Sequence, residues 1–395
     1  MATASKAPSK PLPYLWLAAI TAVIGLFVHG YLYSHSLAME SGEATKSLCD
    51  INATFNCSAV SASKYASLFG VPIALWGLIG NAVFLIMLGV MLPLADDTKK
   101  SAARRNVLIV AIGIFIASII MGSISAFALA KLCAFCMAAY VLSILMLVFV
   151  WLGLKNRPSD RAAGPKDLIP LIAIGAIGLL AGFIIHSSMN PGAKQMAIAA
   201  DGYVGEWKSA PAREINLVDP LVLGPAADQA KMTIVEFADF RCIHCKHAAP
   251  IIHAFAAAHP DVRVEFQPWP LDGECNASLD RTNGASCLLS RAVWCAQKVK
   301  QQGWAAHDYI YGLDEIYPSV EAVRAGLPAI ATAAKMSTEE MNVCADSDDA
   351  KAATRKQAEV GTALNLQGTP TIFANKKILS GGQSLPILQR AYNSL

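Results

Sequence analysis

The sequence predicts an α-helical membrane bundle followed by a separate α/β domain, and two observations carry that reading. Nearly all the long apolar runs lie between residues 14 and 186, whereas from about 195 onward charged and polar residues return at ordinary density. In the second part the strand-like MTIVEFADF runs straight into Cys242-Ile243-His244-Cys245, and KHAAPIIHAFAAAH continues with helical periodicity. The totals agree: 395 residues, 54% hydrophobic and only 15% charged, are too apolar for an ordinary soluble protein and too long for one domain. A net charge of +3 makes no case for nucleic acid, and no basic block, phosphate-cradling Gly-rich loop or short repeat is present.

A membrane-spanning helix needs about 20 mostly apolar residues. Five stretches meet that length, at about 14–37, 72–92, 107–129, 132–154 and 168–186. The first is too long for a cleavable signal peptide and has no small-residue cleavage site. Cations set the orientation. Lys6 and Lys10 precede the first helix, Lys99, Lys100, Arg104 and Arg105 follow the second, and Lys155, Arg157, Arg161 and Lys166 follow the fourth. The alternate connections carry few cations, and the first of them also holds Glu40, Glu43 and Asp50. The N-terminus is therefore expected in the cytoplasm and the polar domain outside. All ten cysteines then fall at or beyond the outer face, where disulfides persist.

Cys133 and Cys136 open the fourth helix, three apart and so on one face. They can close or open a disulfide with little backbone change, and the helix N-terminus favours a thiolate. Tyr140 shares their face. The bland alternative is two small membrane hydrophobes beside an interfacial tyrosine. The first outer connection, about 38–71, is too long for a simple link and contains SLCDINATFNCSAVSASKYASLFGVPIALWG.

That text resembles the vitamin K epoxide reductase family. The family's C-D-x(6)-C-S-x-V pattern is matched by Cys49, Asp50, Cys57, Ser58 and Val60; its Ser or Thr six residues after the second loop cysteine is matched by Ser63, and its C-x-x-C followed by Tyr by Cys133, Cys136 and Tyr140. FGVPIALWG resembles the family's bacterial members. The resemblance implies a four-helix membrane domain at 14–154, to which a fifth membrane helix (155–190, with flanks) is added. It implies a quinone, ubiquinone or menaquinone, as electron acceptor, with Ser63 and Tyr140 as hydrogen-bond donors to it and Cys136 as the cysteine facing it. One departure stands: the animal members carry an Asn near the start of the second helix that helps hold the substrate, and Pro72-Ile73-Ala74-Leu75 occupies that place. Vitamin K epoxide is therefore not the expected substrate. Ser63 has a second reading as the cap of a short loop helix.

In the polar half, SSMNPGAKQMAIAADGYVGEWKSAPAREI is mixed in composition and dotted with Gly and Pro, which reads as a linker over 191–213. A Cys-x-x-Cys between a strand and a helix reads as a thioredoxin-type redox site. Cys242 is the more exposed, attacking sulfur and Cys245 the resolving one, while His244 between them favours the thiolate. Glu236, in an otherwise apolar strand, either relays a proton to Cys245 or faces water at a strand edge. Thr369-Pro370 opens a strand, which suggests a cis peptide. This resembles the thioredoxin superfamily, whose cis-proline faces the C-x-x-C, shapes the partner groove and keeps metal off the thiols. The mostly helical stretch 288–360 is similar to the insertion of the DsbA-like branch, which the resemblance extends over 214–395; Ile243 departs from that branch's common proline. Cys275, Cys287, Cys295 and Cys344 allow three pairings, of which Cys275–Cys287 with Cys295–Cys344 is favoured, in a structural role. His244, His247, His253 and His259 share one helix, but two flank the redox pair and the others fit an exposed face, so no metal is expected.

Together these expectations describe a thiol–disulfide oxidoreductase of a bacterial inner membrane, preceded by a cytoplasmic tail over 1–13. Reduced secreted or periplasmic proteins would give electrons to Cys242–Cys245, which would pass them within the same chain to Cys49–Cys57, then to Cys133–Cys136 and a quinone. Two rivals share the sequence: a quinone or quinone-epoxide reductase running the chain in reverse, and a non-enzymatic peptide-binding receptor with structural disulfides.

Overall fold

The computed structural model describes residues 13–41, 47–51, 54–95, 97–155 and 164–395. Lys6 and Lys10, with nearly all of the N-terminal tail, and Glu43, Arg157 and Arg161 in two later connections lie outside the described residues. The chain divides into two compact units, 1–37 with 47–191, and 38–46 with 192–395.

In the first unit, α1 (Pro13–Ser41) leads to a short loop helix, α2 (Cys57–Ala62). A two-stranded hairpin of β1 (Ser67–Leu68) and β2 (Val71–Pro72) follows, turned by Phe69 and Gly70, both at positive φ (54° and 76°). Then come α3 (Ile73–Ile86), which runs through a π turn into α4 (Leu92–Leu94), and α5 (Asp97–Ser123), which ends in a π turn of its own. The unit closes with α6 (Ala134–Leu154) and α7 (Ile169–Met189). Five spans are long and apolar enough to cross a membrane, at Pro13–Ser41, Ile73–Leu94, Lys99–Ala128, Ala134–Leu154 and Pro165–Met189. Their alternatives are few, because in lipid every backbone amide must be satisfied within its own helix. Small residues set the packing: Ala18, Ala22 and Ala111 bring helices together around Phe84, Met87, Met146 and Val150. Gly178 and Gly182 let α7 lie close on α3, where a Cβ at Gly182 would stand 2.5 Å from the Trp76 ring.

The second unit begins with α8 (Ala193–Ser209), so the stretch read as a linker over 191–213 is mostly a helix. It is docked: Trp207 Nε1 donates to the Ala374 carbonyl at 2.9 Å and Asp201 pairs with Arg390. The five-stranded sheet has the order β3 (Leu221–Leu223), β5 (Val262–Pro268), β4 (Met232–Ala238), β6 (Thr371–Ala374), β7 (Lys377–Ile378). β4 is parallel to β5, joined through α9 (Ile243–Ala258), and antiparallel to β6, with Glu236 opposite Ile372. Between β5 and β6 stands the expected helical insertion, α10 (Ala285–Lys300), α11 (Gly303–Tyr311), α12 (Val320–Ala333), α13 (Thr338–Asp346) and α14 (Asp348–Ala363). The last helix, α15 (Leu385–Asn393), packs on α8 and α9. Cys275–Cys287 and Cys295–Cys344 are the disulfides formed, closing loops of 12 and 49 residues that fasten the insertion to itself.

Candidate functional sites in two units

In the membrane unit the loop pair and the helix pair meet. Cys49–Cys57 and Cys133–Cys136 are both disulfides, and the sulfurs of Cys49, Cys57 and Cys133 lie within 4.8 Å of one another, all three residues buried. Local hydrogen bonds build this. Asn56 caps α2, its Oδ1 accepting from the Ala59 N–H at 2.7 Å, which places Cys57 in the helix's first turn. Asp50 accepts from the Ser58 N–H and hydroxyl and from the Ser47 N–H, closing the loop on itself, and His35 Nε2 lies 3.2 Å from the Ser58 hydroxyl. A parallel bridge, Phe55 to Leu132, ties the loop to the approach of α6: the Asn56 N–H donates to the Leu132 carbonyl at 2.9 Å and the Leu132 N–H to that of Thr54 at 2.7 Å. Cys133 is the N-cap of α6, its sulfur accepting from the Cys136 N–H at 3.1 Å.

Beyond that sulfur cluster lies a largely apolar cavity of about 460 Å³, whose wall includes Cys136, Ser63, Tyr140, Trp76, His29 and Asn81. Three sequence-predicted residues thus converge there. Ser63 also closes α2 as its C-cap, and its hydroxyl donates to the Val60 carbonyl at 2.8 Å, so its proton is already committed. Among the described residues the Tyr140 hydroxyl makes no hydrogen bond. The asparagine on this wall is Asn81, two turns further along the second membrane span than the place where the animal pattern puts one.

In the second unit Cys242 caps α9 and Cys245 is buried behind it; both are free thiols. A hydrogen bond with the Cys245 thiol, helped by the N–H groups of Cys245 and His244 and opposed by burial, brings the Cys242 pKa down to about 6. Burial, reinforced by its neighbour, pushes Cys245 far up. His244 contributes through its backbone; its side chain is exposed. Thr369–Pro370 is cis, and the Cys242 thiol donates to the Thr369 carbonyl at 3.3 Å. Glu236 is wholly buried with neither carboxylate oxygen partnered, so it does not face water; burial first, then the nearby Cys242 charge, raises it to about 8. Nothing in the sequence pointed to Tyr311, whose hydroxyl donates to the Asp239 carbonyl at 3.1 Å, nor to the spread of Arg241, which donates to the carbonyls of Tyr317 and Pro318 and to Asn283. Three of the four histidines lie on α9 and His259 is its C-cap; against the expected exposed face, His259 is buried and His253 packs with His307 and Asp308.

Residues 16–151 match the Vitamin K epoxide reductase family, and residues 218–392 match the Thioredoxin family. The chain is a vitamin K epoxide reductase family domain joined to a thioredoxin-family domain. Among solved structures it is similar to oxidised BdbD from Bacillus subtilis, at 20% identity over 47% of this chain and 97% of that one, with a TM-score of 0.40. It is also similar to a thioredoxin-like oxidoreductase from Silicibacter pomeroyi DSS-3 (23% identity, 45% and 91%, TM-score 0.37) and to DsbA2 from Pseudomonas aeruginosa (20% identity, 42% and 83%, TM-score 0.32). Together the two family matches support a thiol–disulfide oxidoreductase.

Proposed function

We propose that the chain oxidises the thiols of proteins outside the cytoplasm and passes the electrons, through its three cysteine pairs in series, to a membrane quinone. The observation that carries this is the placement of the four membrane-unit cysteines: three sulfurs within 4.8 Å of one another, and Cys136 on the wall of an apolar cavity. Thiol–disulfide exchange needs sulfur-to-sulfur contact, and a cluster with one side at the loop and the other at a lipid-like cavity has the form of a relay.

Two substrate thiols become a disulfide while Cys242–Cys245 becomes a dithiol, by attack of a substrate thiolate on Cys242. The Cys242 thiolate then attacks the Cys49–Cys57 disulfide, and Cys245, freed of its proton with Glu236 as the relay, displaces it. The loop dithiol reduces Cys133–Cys136 in the same way. A bound quinone would supply an acceptor for two electrons and two protons. Cys136 presents the reacting sulfur to the cavity, Tyr140 offers it a hydroxyl proton, and the apolar walls exclude water. A Cys242 pKa of about 6 supports the oxidising direction, since a stable thiolate leaves readily and favours the reduced domain.

The arrangement of cations supports an orientation with the soluble unit outside a bacterial inner membrane. α8 is docked on its own sheet and α15, so little of 191–213 is left as a linker. The covalent link between the two domains raises the effective concentration of each for the other. The exchange between units is tested by trapping: Cys245→Ser with Cys57→Ser leaves Cys242 and Cys49 unable to resolve a mixed disulfide. The expected product is an intramolecular Cys242–Cys49 link, identified by peptide mass mapping. A Cys242 that links only to other chains or directly to Cys133 contradicts the order given.

A further inference from the structure

The first and second membrane spans cross through a reciprocal pattern, Gly25-x-x-x-His29 on α1 and Gly77-x-x-x-Asn81 on α3. His29 Nδ1 donates to the Gly25 carbonyl at 2.8 Å and Asn81 Nδ2 to the Gly77 carbonyl at 2.8 Å, so each polar side chain is anchored on its own helix. Each also occupies the hollow of the other helix's glycine: a Cβ at Gly77 would stand 2.0 Å from the His29 ring, and one at Gly25 2.6 Å from Asn81 Oδ1. All four residues line the cavity that Cys136 and Tyr140 also line. A polar pair inside a membrane bundle is costly where leucines would pack, and such residues mark ligand sites.

Cys136 sits at the start of its helix, two residues in and about 3 Å along the α6 axis, whereas Asn81 sits well inside its own, eight residues in and about 12 Å along α3. Several of the wall's hydroxyls are already engaged, those of Ser36, Ser63, Ser118 and Ser143 each donating to a backbone carbonyl, whereas the Tyr140 hydroxyl stays available on the α6 wall. Asn81 keeps a free amide proton, because a primary amide has two and only one is used. His29, with its Nδ1 proton held by a carbonyl that can only accept, keeps a lone pair on Nε2.

We infer that His29 and Asn81 form the inner hydrogen-bonding end of the cavity and hold the ring oxygen of a para-quinone remote from Cys136, Asn81 donating to the quinone and His29 accepting from the hydroquinone hydroxyl. This rests on the quinone reading above and assigns each residue to one redox form. The test is equilibrium binding to the full chain carrying Cys136→Ser, which prevents turnover, at pH 8, where an ordinary imidazole is neutral. A short-tailed 1,4-benzoquinone and its hydroquinone are titrated against quenching of tryptophan emission, with Trp76→Phe as the control for the cavity signal. Asn81→Ala should weaken the quinone about fivefold and the hydroquinone less, and His29→Ala should weaken the hydroquinone about fivefold and leave the quinone nearly unchanged. Equal losses for both forms, or none, would mean that the pair only packs the helices and would overturn the inference. If an alanine variant fails to fold, Asn81→Leu or His29→Leu fills the space without the polar atoms and is read by the same split. A parent protein that binds neither form removes the quinone reading itself, whereas a parent that binds both with unsplit variants removes only this assignment.

Discussion

The Cys245 hydrogen bond lowers Cys242 against burial, whereas burial raises Glu236, and pH separates the two. Cys242, lowered from 9.0 to about 6, contributes stability to the reduced domain that is fully present above pH 9 and is lost as pH falls through 6. Glu236, raised from 4.5 to about 8, contributes stability that is fully present below pH 4.5 and is lost as pH rises through 8. The rate of Cys242 alkylation should therefore rise with a midpoint near pH 6; a midpoint at an ordinary thiol value would show that Cys245 and the helix N-terminus do not hold the thiolate. Glu236→Gln should stabilise the soluble domain above pH 8 in denaturant titrations. The same variant should slow the resolving step, on the order of 10²-fold if the carboxyl relays the Cys245 proton. An unchanged resolving rate would leave Glu236 a buried cost without a role.

At the level of elements, residues near one another in sequence were the legible ones. Both C-x-x-C pairs, the C-D-x(6)-C-S loop and the Thr-Pro at the head of β6 announce their chemistry within a few positions. The Phe55–Leu132 bridge, which seats the loop against α6, joins residues 77 positions apart through backbone atoms, so no side-chain pattern records it. The helix α8 was hidden because Gly202, Gly205 and several alanines flatten its periodicity; its fixed position comes from Trp207 and Asp201 on α15 and the sheet. His29 and Asn81 left a signal that could have been used, polar residues inside apolar spans, but their pairing depends on which helices cross. The fifth span makes a separate prediction. Gly182→Leu drives a side chain into Trp76 and should destabilise the membrane unit in detergent by about 1–3 kcal/mol, read as a lower unfolding midpoint. An unshifted midpoint would mean that α7 is not held by the Gly178–Gly182 face.

For the whole molecule, the division into a membrane helical unit and a redox α/β unit was readable from composition alone, and the fold of each from a handful of motif residues. What composition could not give is the chain of contacts by which a protein thiol outside would reach an acceptor in the bilayer. The closeness of three membrane-unit sulfurs and the place of Cys136 on the cavity wall support such a path, along which electrons are proposed to reach a quinone. The most direct measurement gives the purified full chain a reduced, unfolded secreted protein and a soluble quinone analogue, and follows disulfide formation together with quinone loss. Sustained turnover with one quinone consumed per disulfide formed is the expected result, and Cys136→Ser should give only the burst that the chain's own stored disulfides can supply. Continued turnover by Cys136→Ser, or disulfide formation by the parent protein with no quinone consumed, would contradict the relay.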